Sequence, residues 1–320
     1  MTTDYRERLL HDMVRIRRVE ETLAELYPSG EMRTPTHFSI GQEAVAVGVC
    51  GALRRDDVVY SGHRCHAHYL AKGGDLHGMV AELYGRETGC ARGRGGSVHL
   101  NDPEAGVIAS SAILGQTMAV AVGTALAFTM DGRGRVAVTF FGDGTVEEGI
   151  FHETLNFAVM RHAPVLFVCE NNGFSTHTRL EVRQPASVSI HARAASYGMP
   201  SRLVDGNDVF AVHAAAREAV AHARGGSGPF FLECTTYRWR EHVGPLWDYD
   251  KGYRTKAEVD SWVGRCPIRR ASEQLVGEGA CTPAAIAAME RASQAEVDEA
   301  VVAARAASFP AVEDLTTGTY

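Results

Sequence analysis

Hydrophobic positions along the chain follow two different periods, and these periods predict which segments are helices and which are strands. Apolar residues spaced three and four apart over residues 4–28 predict an amphipathic helix that ends at Pro28-Ser29-Gly30. Short continuous apolar runs, typical of buried parallel strands, occur at 57–61, 135–141, 164–169 and 229–237. Further helices are predicted from near Gly41 to 46 and over 119–130, 147–161 and 208–224.

The order of these elements predicts the fold class. Strands alternate with helices, which favours an α/β fold in which a parallel sheet has helices on both faces. Residues 85–115 are rich in glycine and short polar side chains, and are expected to form a long functional loop. The residues after Thr282 predict a helical tail. The sequence has no internal repeat and no low-complexity linker, so residues 1–320 are expected to form one domain with an N-terminal helix and a C-terminal helical tail.

Composition excludes several functional classes. Acidic residues outnumber basic ones by 39 to 32, and the net charge of −7 argues against a general nucleic-acid binder. The sequence has no run of 18 apolar residues, so no membrane span is expected. The charged N-terminus lacks the features of a signal peptide, and the seven cysteines are scattered, without a Cys-x-x-Cys pair. These features favour a reduced, cytoplasmic protein.

Two polar loops follow neighbouring predicted strands. The first is Gly142-Asp143-Gly144-Thr145, and after Gly144 another 26 residues precede the second loop, Asn171-Asn172-Gly173-Phe174. The carboxyl ends of parallel strands meet at one edge of a sheet, so these loops are expected to lie side by side. A carboxylate facing an amide oxygen suits Mg²⁺ that also binds phosphate oxygens. The amides of Gly144 and Thr145 are expected to begin a helix and to favour an anion.

Other interpretations of the first loop remain open. Gly142-x-Gly144 shares its first two glycines with a nicotinamide-binding fingerprint, but the next glycine is Gly149, so the required spacing fails. Asp143 would also repel a pyrophosphate unless a cation lay between them. Each loop, taken alone, has the composition of an ordinary turn.

A group of histidines at positions 63, 66 and 68 also has more than one interpretation. Imidazoles at this spacing are compatible with a zinc site of a hydrolase, although Arg64 would then lie beside the cation. An ordinary surface or core cluster is the other alternative.

Taken together, the two loops resemble a known motif. Gly142-Asp143-Gly144 followed at this spacing by Asn171-Asn172 is similar to the thiamine-diphosphate motif. Neighbouring residues narrow the resemblance to the alpha subunits of thiamine-dependent 2-oxo acid dehydrogenases, the decarboxylating components of the pyruvate, acetoin and branched-chain complexes. The resemblance covers nearly the whole chain and implies the thiamine-diphosphate-binding fold, as its diphosphate-side domain. It includes His37-Phe38-Ser39-Ile40-Gly41-Gln42-Glu43-Ala44, His63-Arg64-Cys65-His66, Gly93-Arg94-Gly95-Gly96-Ser97-Val98-His99, Val204-Asp205-Gly206-Asn207-Asp208 and Tyr237-Arg238-Trp239.

The resemblance implies a ligand set for the metal and the cofactor. Mg²⁺ would be held by the side chains of Asp143 and Asn172 and by the backbone carbonyl of Phe174. Thiamine diphosphate would bind beside this ion. The other implied cofactor contacts are Ala112 and Leu114 at the aminopyrimidine ring, and Gly142, Gly144, Thr145, His63, Arg64 and His66 around the diphosphate.

Histidines carry the implied catalytic roles. His37 and His242 match active-site histidines that hold the substrate or move a proton, and their ordinary pKa near 6.5 suits both tasks. His63 stands where the family usually has tyrosine, and imidazole can still donate to a phosphate oxygen. Around His242 the chain departs from the family pattern, because glutamate precedes the histidine and no serine follows it. If Glu241 lies within about 4–6 Å, it is expected to favour the imidazolium form of His242.

One required group is absent from the motifs. In this family the glutamate that activates the cofactor comes from a separate beta subunit, so the resemblance implies a two-alpha, two-beta assembly with half of the site on this chain. The implied activity is decarboxylation of a 2-oxo acid or cleavage of acetoin, with transfer of the acyl group to a lipoyl acyltransferase. Two alternatives remain: a carboligase or ketol-transferase subunit of a biosynthetic pathway without a lipoyl acceptor, and a non-catalytic, cofactor-binding assembly partner.

Overall fold

The computed structural model describes residues 2–317, in which strands and helices alternate along most of the chain. The strands are β1 (Val58–Ser61), β2 (Val107–Ser110), β3 (Ala137–Gly142), β4 (Val165–Asn171), β5 (Phe174–Ser175), β6 (Thr178–Arg179), β7 (Ser201–Asp205) and β8 (Phe230–Thr235). The helices are α1 (Thr3–Leu26), α2 (Glu43–Cys50), α3 (His66–Ala71), α4 (Leu76–Leu83), α5 (Gln116–Asp131), α6 (Gly149–Met160), α7 (Leu180–Arg183), α8 (Ile190–Ala195), α9 (Val209–Arg224), α10 (Lys256–Val263), α11 (Pro267–Gly277) and α12 (Pro283–Ala306).

A six-stranded parallel sheet in the order β2-β1-β3-β4-β8-β7 forms the centre of the fold, and β5 and β6 form a separate antiparallel hairpin. Alternate side chains of β3 enter different layers: Val138 and Phe140 pack with α1, α2 and α9, whereas Ala137 and Phe141 pack with α5, α6 and α8. This arrangement confirms the predicted α/β class and the helices on both faces. It is consistent with the thiamine-diphosphate-binding fold that the resemblance implies.

The two edge strands, β2 and β7, were not predicted. Strand β2 lies within the glycine-rich segment 85–115, which is therefore not entirely a loop. Strand β7 carries the sequence Ser-Arg-Leu-Val-Asp, in which Arg202 and Leu203 are exposed. An edge strand is covered less completely than a central one, so β7 lacks the apolar run that marks β3 and β4, whereas β2 is only four residues long and lies within a glycine-rich segment.

The prediction that the amides of Gly144 and Thr145 begin an α-helix is wrong. Residues Asp143–Glu147 form a 3₁₀ turn, Glu148 is extended, and α6 begins only at Gly149. The turn lies against the hairpin so closely that a Cβ atom at Gly144 would come within 2.6 Å of Ser175 Oγ. This close approach explains the glycine at position 144.

The terminal helices pack against each other, as α1 lies along α12 and α12 also contacts α4. Arg15 on α1 and Glu296 on α12 form an ion pair with 2.7 Å between Nη2 and Oε1. No helix among residues 2–317 is long and apolar enough to cross a membrane. The assignment of residues 1–320 to one domain stays a prediction, and Met1 and residues 318–320 lie outside the described residues.

A single buried carboxylate organises the glycine-rich loop after α4. Glu82 is 1% exposed and accepts hydrogen bonds from the backbone amides of Ala91, Gly93, Gly95 and Gly96, at 2.7–2.9 Å. At Gly96 φ is +59° and a Cβ atom would lie 2.4 Å from Thr34 Oγ1, so only glycine fits. The loop therefore takes its shape from one side chain that precedes it.

We expect Glu82→Ala to lower the free energy of unfolding by about 3 kcal/mol or more, because four partly buried amides lose a charged acceptor. Urea denaturation of the two proteins measures this difference. Glu87→Ala is the matched control, since Glu87 is exposed and pairs only with exposed Arg92, and its effect should stay within about 0.5 kcal/mol. Equal losses in both variants would contradict the role of Glu82.

Candidate active site

A cavity of about 280 Å³ opens where β1, β3 and β4 end. Ligands of parallel sheets bind at this edge, beyond the carboxyl ends of the strands. The cavity brings together most of the residues that the sequence singled out, although His66 and Asp143 are not part of its wall. The predicted residues in the wall are His37, His63, Arg64, Ala112, Leu114, Gly142, Gly144, Thr145, Asn172, Phe174 and His242.

Asp143 begins the 3₁₀ turn after β3, and its side chain is 1% exposed. One carboxylate oxygen, Oδ2, accepts a hydrogen bond from the guanidinium of Arg183. The other oxygen, Oδ1, is buried and has no hydrogen-bond partner in the described part of the chain. Burial raises the pKa of this carboxyl group, and Arg183 opposes that rise. An orphaned, buried carboxylate oxygen is the kind of donor that Mg²⁺ prefers.

Asn172 lies on the neighbouring loop, where β4 ends. Its Nδ2 donates to Oε1 of Gln42 at 3.0 Å, and its Oδ1 accepts a hydrogen bond from the amide of Phe174 at 3.1 Å. Gln42 thus holds the Nδ2 group of Asn172, and Oδ1 keeps a second lone pair for another partner. Space beside the loop is open, because a Cβ atom at Gly142 would have no neighbour within 4 Å. This donor set and this space fit a magnesium–diphosphate group.

Arg64 supplies a buried positive charge at the wall of the cavity. Its guanidinium donates to the backbone carbonyls of Phe38 and His242, and no carboxylate lies within 4 Å of it among the described residues. Burial lowers its pKa to about 9, so the group stays charged at neutral pH. A buried cation without a carboxylate partner is a binding site for an anion.

Three histidines converge beside Arg64. The ring centroid of His37 lies 4.6 Å from that of His63 and 5.0 Å from that of His242, and the centroids of His63 and His242 are 5.4 Å apart. Burial, followed by the charge of Arg64, lowers the pKa of His37 to about 2, of His63 to about 4 and of His242 to about 3. Nδ1 of His37 is buried without a hydrogen-bond partner in residues 2–317. These imidazoles are neutral at physiological pH and can both accept and donate hydrogen bonds.

The structure does not bring His66 to the cavity. Its Nδ1 pairs with the carboxylate of Glu20 on α1, and its Nε2 lies 2.8 Å from Oγ of Ser97. As the first residue of α3 it turns into the core and is fully buried. Glu20 also accepts a hydrogen bond from the amide of Ser39, so His66 supports the loop that carries His37. The expectation that His66 lies near the diphosphate is therefore corrected to a supporting position.

The proposed zinc triad is likewise separated. His68 turns towards Ser61, with 2.7 Å between Nδ1 and Oγ, and its ring stacks on Phe140 at a centroid distance of 3.9 Å. Because Glu20 also holds His66, the histidines at 63, 66 and 68 do not converge on one metal position.

The expectation for Glu241 is also wrong. Its carboxylate accepts a hydrogen bond from the amide of Leu246 at 3.1 Å and pairs with Lys251 at 3.1 Å. Burial and Arg64 lower the pKa of His242, so its imidazole is neutral and not the expected imidazolium. Adjacent residues in an extended loop point in different directions, and here the glutamate faces Lys251 while the histidine faces the cavity.

Sequence reasoning missed several residues around the cavity. Gln42 and Ser175 line it and contact the predicted metal loops, and Glu170 lies 3.3 Å from His68. Arg183, which contacts Asp143, comes from α7, 40 residues further along the chain. Three of these residues carried a signal in the sequence, because Gln42 lies within the segment 37–44 and Glu170 and Ser175 directly flank the loop 171–174. Arg183 carried none.

The fold and the cavity define a class: an α/β protein whose cavity, at the carboxyl ends of the parallel strands, holds a buried arginine and the loops that carry Asp143 and Asn172. Residues 11–313 match the family described as dehydrogenase E1 component, and the chain belongs to this family. Membership implies thiamine diphosphate as the cofactor.

The chain is similar to named proteins over most of their length. The chain is 38% identical over 309 residues to the alpha subunit of an acetoin:2,6-dichlorophenolindophenol oxidoreductase from Bacillus subtilis, covering 96% of this chain and 91% of that protein. It is 35% identical over 318 residues to the pyruvate dehydrogenase E1 component subunit alpha of Porphyra purpurea, covering 96% and 90%. The corresponding acetoin protein of Cupriavidus necator is 38% identical over 307 residues, covering 95% and 91%.

We expect His63→Tyr to make stability less dependent on pH. The folded pKa of His63 lies below its unfolded value near 6.5, so the stability that this residue contributes is present above pH 6.5 and is lost as the pH falls towards 4. Between pH 7.5 and 5.5 this loss is about 1 kcal/mol per histidine. Urea denaturation at both pH values, at concentrations where light scattering detects no aggregates, should show a loss smaller by this amount in the variant. Identical losses in both proteins would show that the folded imidazole titrates normally.

Proposed function

We propose that this chain is the alpha subunit of a thiamine-diphosphate-dependent dehydrogenase for a pyruvate-like 2-oxo acid or acetoin, and that it acts with a beta subunit. The observation that carries this proposal is one cavity that brings together Asn172, Arg64 without a carboxylate partner and three neutral imidazoles, with the orphaned carboxylate oxygen of Asp143 buried in the loop between the wall residues Gly142 and Gly144. Each of these features is costly in a folded protein without a ligand, and together they complement a magnesium–diphosphate group and a polar substrate. The printed names of the relatives support the same assignment.

In this proposal the chain's own groups bind and orient. Asp143, Asn172 and the backbone carbonyl of Phe174 hold Mg²⁺, while Arg64 and the amides of Gly144 and Thr145 hold the diphosphate. Bound thiamine diphosphate supplies the nucleophilic carbon and the electron sink for decarboxylation. His37 and His242, both neutral, accept or donate hydrogen bonds at the substrate oxygen.

A beta subunit completes the site. Ile113, at the rim of the cavity, is 64% exposed, and α5 and α6, which pack together, carry further exposed apolar side chains. Val120 is 50%, Phe157 44% and Met160 68% exposed there. Exposed apolar area of this kind marks a protein interface. We propose that the beta subunit covers this surface, contributes the glutamate that activates the cofactor and forms a two-alpha, two-beta assembly.

The acceptor separates the main proposal from its alternative. A lipoyl acyltransferase is the acceptor in the main proposal. A carboligase or ketol-transferase without a lipoyl acceptor is the second candidate, and the loop after His242 favours it. Val243, which stands where the family pattern has serine, is 41% exposed, and Leu246 and Trp247 further along the loop are 57% and 37% exposed. A non-catalytic role is disfavoured, because assembly alone requires neither Arg64 nor the histidines.

Turnover assays on the assembled protein test the function. The alpha and beta chains, expressed together, are assayed with pyruvate, 2-oxobutyrate, branched 2-oxo acids and acetoin, each with 2,6-dichlorophenolindophenol, a lipoyl domain or an aldehyde as acceptor. Turnover only with the aldehyde would select the second candidate. The chain alone should show no turnover, and substantial activity without a beta subunit would refute the shared site.

We expect Asp143→Ala to weaken Mg²⁺ binding at least about 100-fold, because the variant removes the only carboxylate proposed as a ligand. Calorimetry of the alpha–beta assembly with Mg²⁺ at saturating thiamine diphosphate measures the affinity. Asp298→Ala, on α12, is the control and should bind as wild type. Unchanged affinity in Asp143→Ala would refute the metal assignment.

For the partner surface, Val120→Asp is expected to prevent co-purification with the beta subunit, because it places a charge in an apolar interface. Val302→Asp is the matched control, since Val302 is 66% exposed on α12, outside the α5–α6 surface. Size-exclusion chromatography of co-expressed chains, together with circular dichroism, separates lost assembly from lost folding. Normal assembly of Val120→Asp would show that the beta subunit binds elsewhere.

A further inference from the structure

Arg183 has no role in the site as described so far, although it forms a nearly buried ion pair with the proposed metal ligand. Its side chain is 9% exposed, in a segment that follows the β5–β6 hairpin. Nη2 contacts Oδ2 of Asp143, Nη1 contacts Oε1 of Glu147, and Nε donates to the carbonyl of Thr178 at 3.2 Å. One guanidinium thus joins the first and last residues of the 3₁₀ turn to the hairpin.

We propose that Arg183 is a positioning residue for the metal site, which holds Oδ2 of Asp143 so that Oδ1 stays free for Mg²⁺. The proposal rests on the proposed function, because it takes Asp143 to be a metal ligand. Arg183 itself touches neither the cofactor nor the substrate.

The division of the two carboxylate oxygens supports this role. Oδ2 is held by Arg183, whereas Oδ1 is buried and has no partner in the described part of the chain. A carboxylate without a second contact rotates about its terminal torsion, which is broad and roughly two-fold. The guanidinium removes that freedom before the metal arrives. Ligating carboxylates are commonly fixed in this way by a hydrogen bond to the oxygen that the metal does not use.

The neighbours of Arg183 hold the guanidinium in turn. Glu147 accepts from Nη1 and also accepts a hydrogen bond from Nε2 of Gln184 at 2.9 Å. The same Gln184 nitrogen lies 3.3 Å from the backbone carbonyl of Asp143. Glu147 reaches the backbone of Asp143 through Gln184 but its carboxylate only through Arg183, so its effect on the metal ligand is expected to pass through Arg183, and this dependence can be measured.

Competition is the rival interpretation of the same contact. If Arg183 occupied the position of the metal ion, it would have to leave Asp143 before Mg²⁺ could bind, and its removal would tighten binding. The two interpretations predict opposite changes in Mg²⁺ affinity when Arg183 is removed. The free Oδ1 favours positioning, since a guanidinium that replaced the ion would be expected to contact both oxygens, as in bidentate arginine–carboxylate pairs.

The test measures Mg²⁺ affinity by calorimetry on the alpha–beta assembly at saturating thiamine diphosphate, with Mn²⁺ binding followed by electron paramagnetic resonance as a second readout. We expect Arg183→Ala to weaken Mg²⁺ binding about 10- to 100-fold. Arg183→Lys should recover part of this loss, because it restores the charge but not the two-pronged geometry. Turnover of Arg183→Ala should recover at high Mg²⁺, so that the Mg²⁺ requirement rises while kcat does not fall.

Two controls make the result specific. Arg179→Ala removes an arginine of the same segment that pairs with Glu258 and not with Asp143, and it should bind Mg²⁺ as wild type. Glu147→Gln should weaken binding less than Arg183→Ala and should add nothing in the double variant, because its effect passes through Arg183.

Equal or tighter Mg²⁺ binding by Arg183→Ala would overturn the proposal, as would a full additive effect of Glu147→Gln in the double variant. Failure of the metal site itself is distinguishable, because Asp143→Ala would then bind Mg²⁺ normally. If Asp143→Ala loses binding while Arg183→Ala keeps it, the metal site stands and the positioning role is wrong.

Discussion

Backbone hydrogen bonds pair β3 with β4 in one unbroken parallel register, from Ala137 opposite Val165 to Gly142 opposite Glu170. Because both strands end at the same level, the residues that follow them, Asp143 and Asn172, are brought to one edge of the sheet. A shift by one residue would turn every side chain of β3 to the other face and bury the wrong set in each core layer. The hydrophobic packing of the two layers thereby fixes the relative position of two polar loops.

Helix α1 positions another part of the cavity wall, the loop that carries His37. Its buried Glu20 accepts from the amide of Ser39 and pairs with His66, and its buried Arg17 donates to Glu43, with 2.6 Å between Nε and Oε1. Both charged residues lie on the buried face of a helix that is otherwise amphipathic. They hold the loop that carries His37, so the terminal helix contributes to the site without entering it.

The sequence allowed the central sheet, the helices on both faces and most of the cavity wall to be predicted, because each depends on local pattern or on a contiguous motif. Strands β2 and β7 were not predicted, because β7 is an exposed edge strand without an apolar run and β2 is a short strand within a glycine-rich segment. His66 was placed at the diphosphate by the family resemblance, but its pairing with Glu20 holds it in the core. Glu241 was misplaced because proximity in sequence was taken for proximity in space. Arg183 meets Asp143 only through the folding of the β5–β6 hairpin, and no spacing rule links the two.

Glu82 has a consequence for how substitutions in this chain are interpreted. The residue lies on α4, outside the wall of the cavity, yet four amides of the glycine-rich loop depend on its carboxylate. A survey that ranked substitutions by distance from the ligand would class it as harmless, and one that searched for the loop by its glycines would overlook it. In a family of related proteins, the loop sequence could persist after such a change while the loop itself lost its shape. The presence of the glycines in a related sequence is therefore not enough to show that the loop keeps its structure.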